Sequence, residues 1–400
     1  MARHVRQGNH VVDATTVRER AEAFLTEHDP SELSTLDWLR ARFDAGLAWV
    51  HFPEGLGGLG APRDLQGVVD QLFRGTPDNN PGRIGIGLGM AAPTILAYGT
   101  DEQKKRFLRP LWTGEEVWCQ LFSEPGAGSD LASLATRAVR DGDDWVVDGQ
   151  KVWTSSAHLA RWGILVARHD PDLPKHRGLT YFVCDMADPG VEVRPLRQIT
   201  GEAEFNEVFL TGVRLGDDLR LGEIGDGWKV AQTTLMNERV AIGTAGSPRR
   251  TMMGVFAESW NERPELRTHD LHQRALELWV QGEVMRLTGQ RLREQLLAGH
   301  PGPEGSGMKL LFSRHHQEVS ALEVEFLRED GLTYDDWTFR RPDGVDFLGR
   351  GAGYRYLRAK GNSIEGGTSE ILRNIVAERV LGLPAEPRTD VAGPWKDLPR

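Results

Sequence analysis

A chain of 400 residues, 39% hydrophobic and 26% charged, is long enough for two or three domains with a sizeable core. Its net charge of −10 argues against a nucleic-acid partner, because binding a phosphate backbone relies on clustered positive charge. The basic pairs Arg249–Arg250 and Arg340–Arg341 are short and scattered, and read as solvated faces or at most as contacts for a small phosphate. The two cysteines, Cys119 and Cys184, form neither a disulfide framework nor a CxxC metal site, so a reducing interior is expected. The N-terminal MARHVRQGNHVVDATT lacks the apolar core of a signal peptide, and no run of 18 apolar residues exists. The expectation is a cytoplasmic, soluble protein with no membrane partner.

Taken in order, residues 13–28 read as a helix with Val17, Ala21, Phe24 and Leu25 on one face. A second helix runs from Ser34 to Leu47. The glycine-rich PEGLGGLGAP (Pro53–Pro62) has no Gly-Lys-Ser/Thr after it and reads as a surface turn. Helical periodicity then continues from Asp64 to Trp112, with Asp101 or Thr100 capping DEQKKRFLRPLW. At about Val117 the character changes to short segments rich in β-branched and aromatic residues, separated by Asp-Gly, Pro-Gly and Thr-Gly turns. No helical period lies between them, so an antiparallel β unit is expected, not βαβ. Helices return from Gly227. The predicted division is 1–118 helical, 119–226 β, 227–384 helical, and a poorly ordered Pro-rich tail at 385–400. The class is α+β and multi-domain.

Three stretches carry chemistry. Leu121–Asp130, LFSEPGAGSD, joins the first two units, and its glycines let backbone N–H groups approach whatever lies there. Asp148–Ser156, DGQKVWTSS, sets a tryptophan beside hydroxyl residues, able to stack on a planar ring and bond its edge. A third, Gly361–Pro384, pairs Gly366 and Gly367 and then starts a helix that Thr368 or Ser369 can cap. Glu370 suits its positive end, and Gly382 and Pro384 close it. No metal-ligand spacing occurs.

Together, S-E-P-G-A-G-S-D (123–130), D-G-Q-K-V-W-T (148–154), F-N-E-V-F (205–209) and E-G-G-T-S-E-I (365–371) resemble the acyl-CoA dehydrogenase family, from roughly Leu88 to Leu383. The resemblance implies an N-terminal helical domain, a central antiparallel β-barrel-like domain and a C-terminal four-helix domain that carries the oligomer interface. It also implies non-covalent FAD, α,β-dehydrogenation of an acyl-CoA thioester, and an electron-transfer flavoprotein as acceptor. It places Gln120, Phe122, Ser123, Trp153, Thr154 and Ser155 against the flavin, and Ser129 at the flavin or the CoA arm. Thr368 and Glu370 fall where the family holds FAD from the helix start.

Such a reaction needs a carboxylate for the α-proton, and donors for the thioester oxygen as charge develops there. Many members place the base directly before the glycine of a Glu-Gly-Thr motif, where this chain has Gly366. Glu365 lies one residue upstream, and a one-residue shift redirects a side chain. Members resembling isovaleryl-CoA dehydrogenase carry the base on an earlier helix, and Leu235–Val240, LMNERV, supplies Glu238 there. Gly366 then leaves room for that carboxylate and lends its N–H to the thioester oxygen. Arg239 matches a position facing the CoA phosphates.

Two family features are missing. The Arg-x-x-Phe-Gly that reaches a neighbouring subunit's FAD is replaced by AESWNERPELRTHDLHQRALE. The later Gln and Gly-Gly-x-Gly turn is replaced by EVEFLREDGLTYDDW, which keeps only Gly331. The expected assembly is therefore a homodimer or homotetramer that holds the adenine differently, or a heterotetramer in which another subunit completes the site. Two alternatives follow: a non-catalytic half-site partner subunit, and a flavin oxidase or monooxygenase on the same fold.

Overall fold

The computed structural model describes residues 12–244, 251–297, 303–334, 336–343, 348–388 and 390–398; the side chains of 81, 238–244 and 296–297 fall outside that description. The Arg249–Arg250 pair lies outside it too.

Six helices come first: α1 Ala14–Glu27, α2 Thr35–Asp44, α3 Gln66–Leu72, α4 Pro81–Ile86, α5 Ala92–Tyr98 and α6 Asp101–Thr113. Short polar side chains start three of them. Asp13 accepts from the Thr16 N–H, Ser34 from Asp37, and Thr100 from Gln103, whose own side chain returns the bond in a capping box. The glycine-rich loop after α2 is not a free surface turn. Gly57 and Gly58 are buried, and a Cβ on Gly58 would stand 2.0 Å from the Phe52 carbonyl oxygen.

Eight strands follow: β1 Trp118–Leu121, β2 Arg137–Asp141, β3 Asp144–Ser155, β4 Trp162–Arg168, β5 Leu179–Asp185, β6 Val191–Pro195, β7 Phe205–Gly216 and β8 Arg220–Leu221. They form one sheet in the order β6–β7–β3–β2–β4–β5–β8, with β1 beside β4. Most pairs are antiparallel as expected, but β1 and a single register position of β2 run parallel to β4. A strand's partner across the sheet is a non-local choice that local alternation does not reveal. Strand β4, WGILVAR, is buried along its whole length. Its pleat sends Ile164 and Val166 into a core shared with the N-terminal helices, and Leu165 and Ala167 into a second core beneath β3 and β7.

Among the described residues the remaining helices are α7 Gly227–Thr244, α8 Met252–Glu262, α9 His269–Leu297, α10 Gly305–Leu327, α11 Ala352–Ala359 and α12 Ser369–Ile375, the last continued by a wider turn over Val376–Val380. Helix α10 packs against α7, α8, α9, α11 and α12. Gly331, the remnant of the family's glycine turn, is spent on the chain reversal after α10. A Cβ there would meet the Val324 carbonyl oxygen at 2.3 Å. No helix among the described residues is long and apolar enough to cross a membrane.

The C-terminal tail departs from expectation. Trp395 is buried over the Arg168 guanidinium, 4.1 Å away, and its indole N–H donates to the Ser133 carbonyl at 3.2 Å. Its backbone N–H donates to Leu173 O at 2.9 Å, while Asp390 pairs with Lys175 at 2.5 Å. Composition marks this stretch as polar, but an aromatic side chain on a buried cation, together with these bonds, docks it.

One expected result arises inside α10. His316 lies against Phe312, ring centroids 3.9 Å apart, and burial, reinforced by His315, pulls it down to about 4. The unfolded chain therefore takes up a proton there before the folded one does, so stability is full above the ordinary histidine range and falls as pH drops through it. Linkage puts the loss between pH 7 and 5 at about 2 kcal/mol. His316→Gln should flatten that part of a urea-midpoint against pH curve.

Candidate active site

The first two chemistry-bearing stretches meet at the end of β1. The Val152 N–H donates to the Ser123 carbonyl at 2.8 Å, which sets β3 directly against the SEPG turn. Beneath that contact lies a pair whose role the sequence reading did not assign. Lys151 is fully buried, and its ammonium donates to Glu124 (2.8 Å) and to the carbonyls of Phe122 (3.0 Å) and Val166 (2.9 Å). Glu124 in turn accepts from the Ala135 and Thr136 N–H groups at 2.6 and 2.9 Å. Burial pushes its carboxyl up, but Lys151 and these N–H groups outweigh burial and leave it below its ordinary value. The lysine of D-G-Q-K and the glutamate of S-E-P-G are thus two halves of one internal tie.

The register of β3 against β7 shifts between Lys151 and Thr154. Across that bulge Trp153 takes φ +60°, and its ring is turned outward, 56% exposed, edge-on to Phe205 at 5.8 Å. Gln120, Ser123 and Ser155 are half-buried beside it, and Ser129 is exposed at the end of the turn. Gly126 and Gly128 face open space. Two expected contacts are corrected. Thr154 is 0% exposed, so it backs the wall and offers no surface to a ligand. Phe122 is 3% exposed and packs edge-on to Tyr181, so its ring is also support.

Tyr181 leads on to α7. Its hydroxyl lies 2.9 Å from Thr234 Oγ1, which lies 2.9 Å from Thr94 Oγ1; all three residues are fully buried. Thr234 stands four residues, about one turn, before Glu238. The hydroxyl triangle therefore pins the α7 segment leading to Glu238 to both β5 and α5, although the side chains of Glu238 and Arg239 lie outside the described residues. Thr234→Val keeps the shape but removes the buried hydroxyl that bonds both Tyr181 and Thr94. It should cost about 1–3 kcal/mol in a denaturant titration.

The third stretch arrives from the other side. Thr368 caps α12, accepting from the Ile371 N–H at 3.2 Å, and Glu370 is exposed and pairs with Arg373 at 3.3 Å. Gly366 and Gly367 both sit in the left-handed region, φ +63° and +96°. A polar stripe on α10 grips this turn. Lys309 donates to the carbonyls of Asn362 (2.7 Å) and Gly367 (2.8 Å), Ser313 to Asn362 (2.6 Å), and Gln317 to Ala359 (3.0 Å). Glu365 is not free to act elsewhere. Arg358 forks onto it at 3.2 and 3.0 Å, and the same guanidinium pairs with Glu204 and lies 5.7 Å from the Phe205 ring. Through Phe205 and Arg358, the Trp153 wall and the Gly366 turn belong to one site. Arg341 is not solvated either; it donates to Asn206 Oδ1 at 2.5 Å.

The acyl-CoA dehydrogenase N-terminal, middle and C-terminal domain models match residues 12–115, 119–213 and 225–381. Among similar proteins, the acyl-CoA dehydrogenase FadE34 of Mycobacterium tuberculosis is 42% identical over 85% of this chain, which spans 45% of that protein's length. The acyl-CoA dehydrogenase IpdE1 of the same organism is 37% identical over 87% of this chain and 88% of its own. In structure the chain resembles the Tcur3481-Tcur3483 steroid ACAD, with a TM-score of 0.71 and 26% identity over 93% of this chain and 98% of that one. The ChsE4-ChsE5 complex of Mycobacterium tuberculosis follows, with a TM-score of 0.69 and 26% identity over 96% and 100%. With all three domain models in sequence and a relative matched along most of both chains, the chain belongs to the acyl-CoA dehydrogenase family of FAD-dependent oxidoreductases.

Proposed function

We propose that this chain dehydrogenates an acyl-CoA thioester between Cα and Cβ, with Glu238 taking the α-proton. The observation that carries the reading is a chain of contacts: β3 is bonded to the Ser123 turn at Val152, Trp153 stands on Phe205, and Arg358 joins Phe205 to Glu365 before Gly366, with the α7 segment before Glu238 held through Thr234. The residues fit FAD. A large ring held outward at positive φ offers a stacking face, and two glycines without neighbours leave room for close backbone approach. Gln120, Ser123, Trp153 and Ser155 would hold its ring, and Ser129, Thr368 and Glu370 the polar remainder. FAD bound there supplies the acceptor for the hydride that leaves Cβ.

Glu238 receives the α-proton, and the Gly366 N–H donates to the thioester oxygen as negative charge builds on it. By sequence match, Arg239 is the proposed contact for the CoA phosphates. The fork from Arg358 already engages Glu365, which supports Glu238 over it as the base. The units divide near 118 and 226. The likeness to the Tcur3481-Tcur3483 steroid ACAD favours a steroid-derived acyl group, and an electron-transfer flavoprotein is the proposed acceptor.

A second reading is a half-site subunit of a heteromer. It is favoured by the segment after α8, where Arg263 pairs with Glu265 and Asp330 and no Arg-x-x-Phe-Gly reaches outward. The exposed apolar face of α9, with Leu276, Trp279, Val280, Val284 and Leu287, suits a subunit contact in either case. An anaerobic titration of the purified chain against a panel of straight, branched and steroid-derived acyl-CoAs, repeated in air and with a candidate second subunit, separates the readings. A yellow protein bleached by one of them is expected. A colourless chain that turns yellow only with a second subunit would favour the half-site, and rapid peroxide release in air would favour an oxidase.

A further inference from the structure

Gly366 and Gly367 form a hinge with no side chains of its own, so the direction of the Gly366 peptide is set by whatever holds the two ends. The far end is held by Lys309 on the Gly367 carbonyl and by the Thr368 cap. The near end is Glu365. Apart from the turn's own bonds to the Gly361 carbonyl, its grip among the described contacts is the bidentate fork from Arg358.

Arg358 is itself anchored on the opposite wall. Glu204, 3% exposed, faces it at 3.0 Å. The Glu204 carbonyl accepts from the Ser156 N–H (3.1 Å) and from Asn206 Nδ2 (3.2 Å), which also donates to the Thr154 carbonyl at 3.0 Å. The guanidinium also reaches Phe205, the ring that stands against Trp153. One cation thus ties the end of β3 to the start of the glycine hinge. A neighbouring pair repeats the pattern, with Glu202 accepting from Arg350 (2.6 Å) and Tyr354 (2.8 Å), so the whole loop before β7 is fastened to α11. Burial pushes the Glu204 carboxyl up against the pull of Arg358, and the Glu365 and Glu202 carboxylates push it the same way.

We infer that Arg358 and Glu365 are positioning residues of the reaction: their fork fixes the near end of the Gly366–Gly367 hinge against the Trp153 wall, and so aims the Gly366 N–H. This rests on the proposed role of that N–H at the thioester oxygen. It also gives Glu365 a function other than proton transfer. Lysine at 358 cannot reproduce a planar fork that serves two carboxylates, and glutamine at 365 keeps the shape while losing the charge.

The test uses Arg358→Lys and Glu365→Gln in the purified flavoprotein, with two readouts. In anaerobic stopped flow, the rate of flavin bleaching should fall roughly tenfold to a hundredfold, while the apparent Kd for acyl-CoA changes by less than about threefold. Amide exchange across 361–368 should accelerate roughly tenfold in each variant, with peptides from β4 and β5 unchanged. Bleaching within about twofold of wild type in both variants overturns the inference, as does exchange that rises equally throughout the chain. If Arg358→Lys does not fold, Glu365→Gln, at a half-buried site, decides alone. A wild-type protein that no acyl-CoA bleaches overturns the dehydrogenase reading together with this one. Wild-type bleaching with unaffected variants overturns this one only.

Discussion

Replacing Lys151 by methionine is expected to cost about 3–5 kcal/mol, because it leaves a buried carboxylate without its counter-charge. The number follows from how completely the ammonium is used. Its partners are Glu124, the Phe122 carbonyl and the Val166 carbonyl, and the residue is 0% exposed, so no water can take its place. The loss is not confined to stability. Two of the freed acceptors belong to the Phe122–Glu124 segment, whose next contact is the Ser123–Val152 bond below the Trp153 wall. The purified variant should therefore be unfolded, or folded with FAD content well below one per chain, as read from the ratio of flavin to protein absorbance. Adding Glu124→Gln should recover about 1–2 kcal/mol, since the amide no longer buries a charge. A Lys151→Met protein with wild-type melting and full flavin would show that the tie is dispensable. The carboxyl's lowered pKa gives the pH dependence its sign. The part of stability owed to ionised Glu124 is complete above the ordinary carboxylate range, and disappears as pH falls through the lowered folded value.

That pair also marks where sequence reading stops. The motifs containing Glu124 and Lys151 were legible because turn glycines, hydroxyls and a tryptophan in that order are rare by accident. Helix starts were legible because a cap is decided within four residues, as Asp13, Ser34, Thr100 and Thr368 illustrate. What stayed hidden was pairing across distance. Glu204 and Arg358 are 154 positions apart in the numbering, and nothing in either local pattern announces the other. The same holds for β1 beside β4, and for Trp395 on Arg168. The α10 stripe is an intermediate case. Lys309, Ser313 and Gln317 recur every four residues and so share one face of the helix, a signal that this face carries polar work. Thr154 and Phe122 show another limit: a motif match names positions, and which side chain is buried depends on packing, here a β3 bulge at Thr154 and the Tyr181 ring against Phe122.

Replacing Glu238 by glutamine should slow anaerobic flavin bleaching by at least about a thousandfold while leaving FAD content and melting temperature unchanged. General-base removal alone is worth roughly 100- to 10,000-fold. Here the substitution also leaves the amide with no basic lone pair at neutral pH, so no residual proton transfer through the same atom is expected. The geometric support is indirect but specific. Thr234, one turn earlier, is locked between Tyr181 and Thr94, and Tyr181 packs on Phe122 in the segment that lines the flavin-side wall. Buried hydroxyls thus hold α7 one turn before position 238. Thr234→Val should therefore lower the bleaching rate modestly, where Glu238→Gln abolishes it. The competing carboxylate supplies the control. Glu365→Gln acts through the hinge and should lower the rate without removing its dependence on the ionisation of a base, so the pH profile of bleaching should keep its wild-type shape. If instead Glu238→Gln bleaches at the wild-type rate and Glu365→Gln loses both rate and pH dependence, the base is Glu365. Glu365 would then have to leave the Arg358 fork when the acyl chain enters.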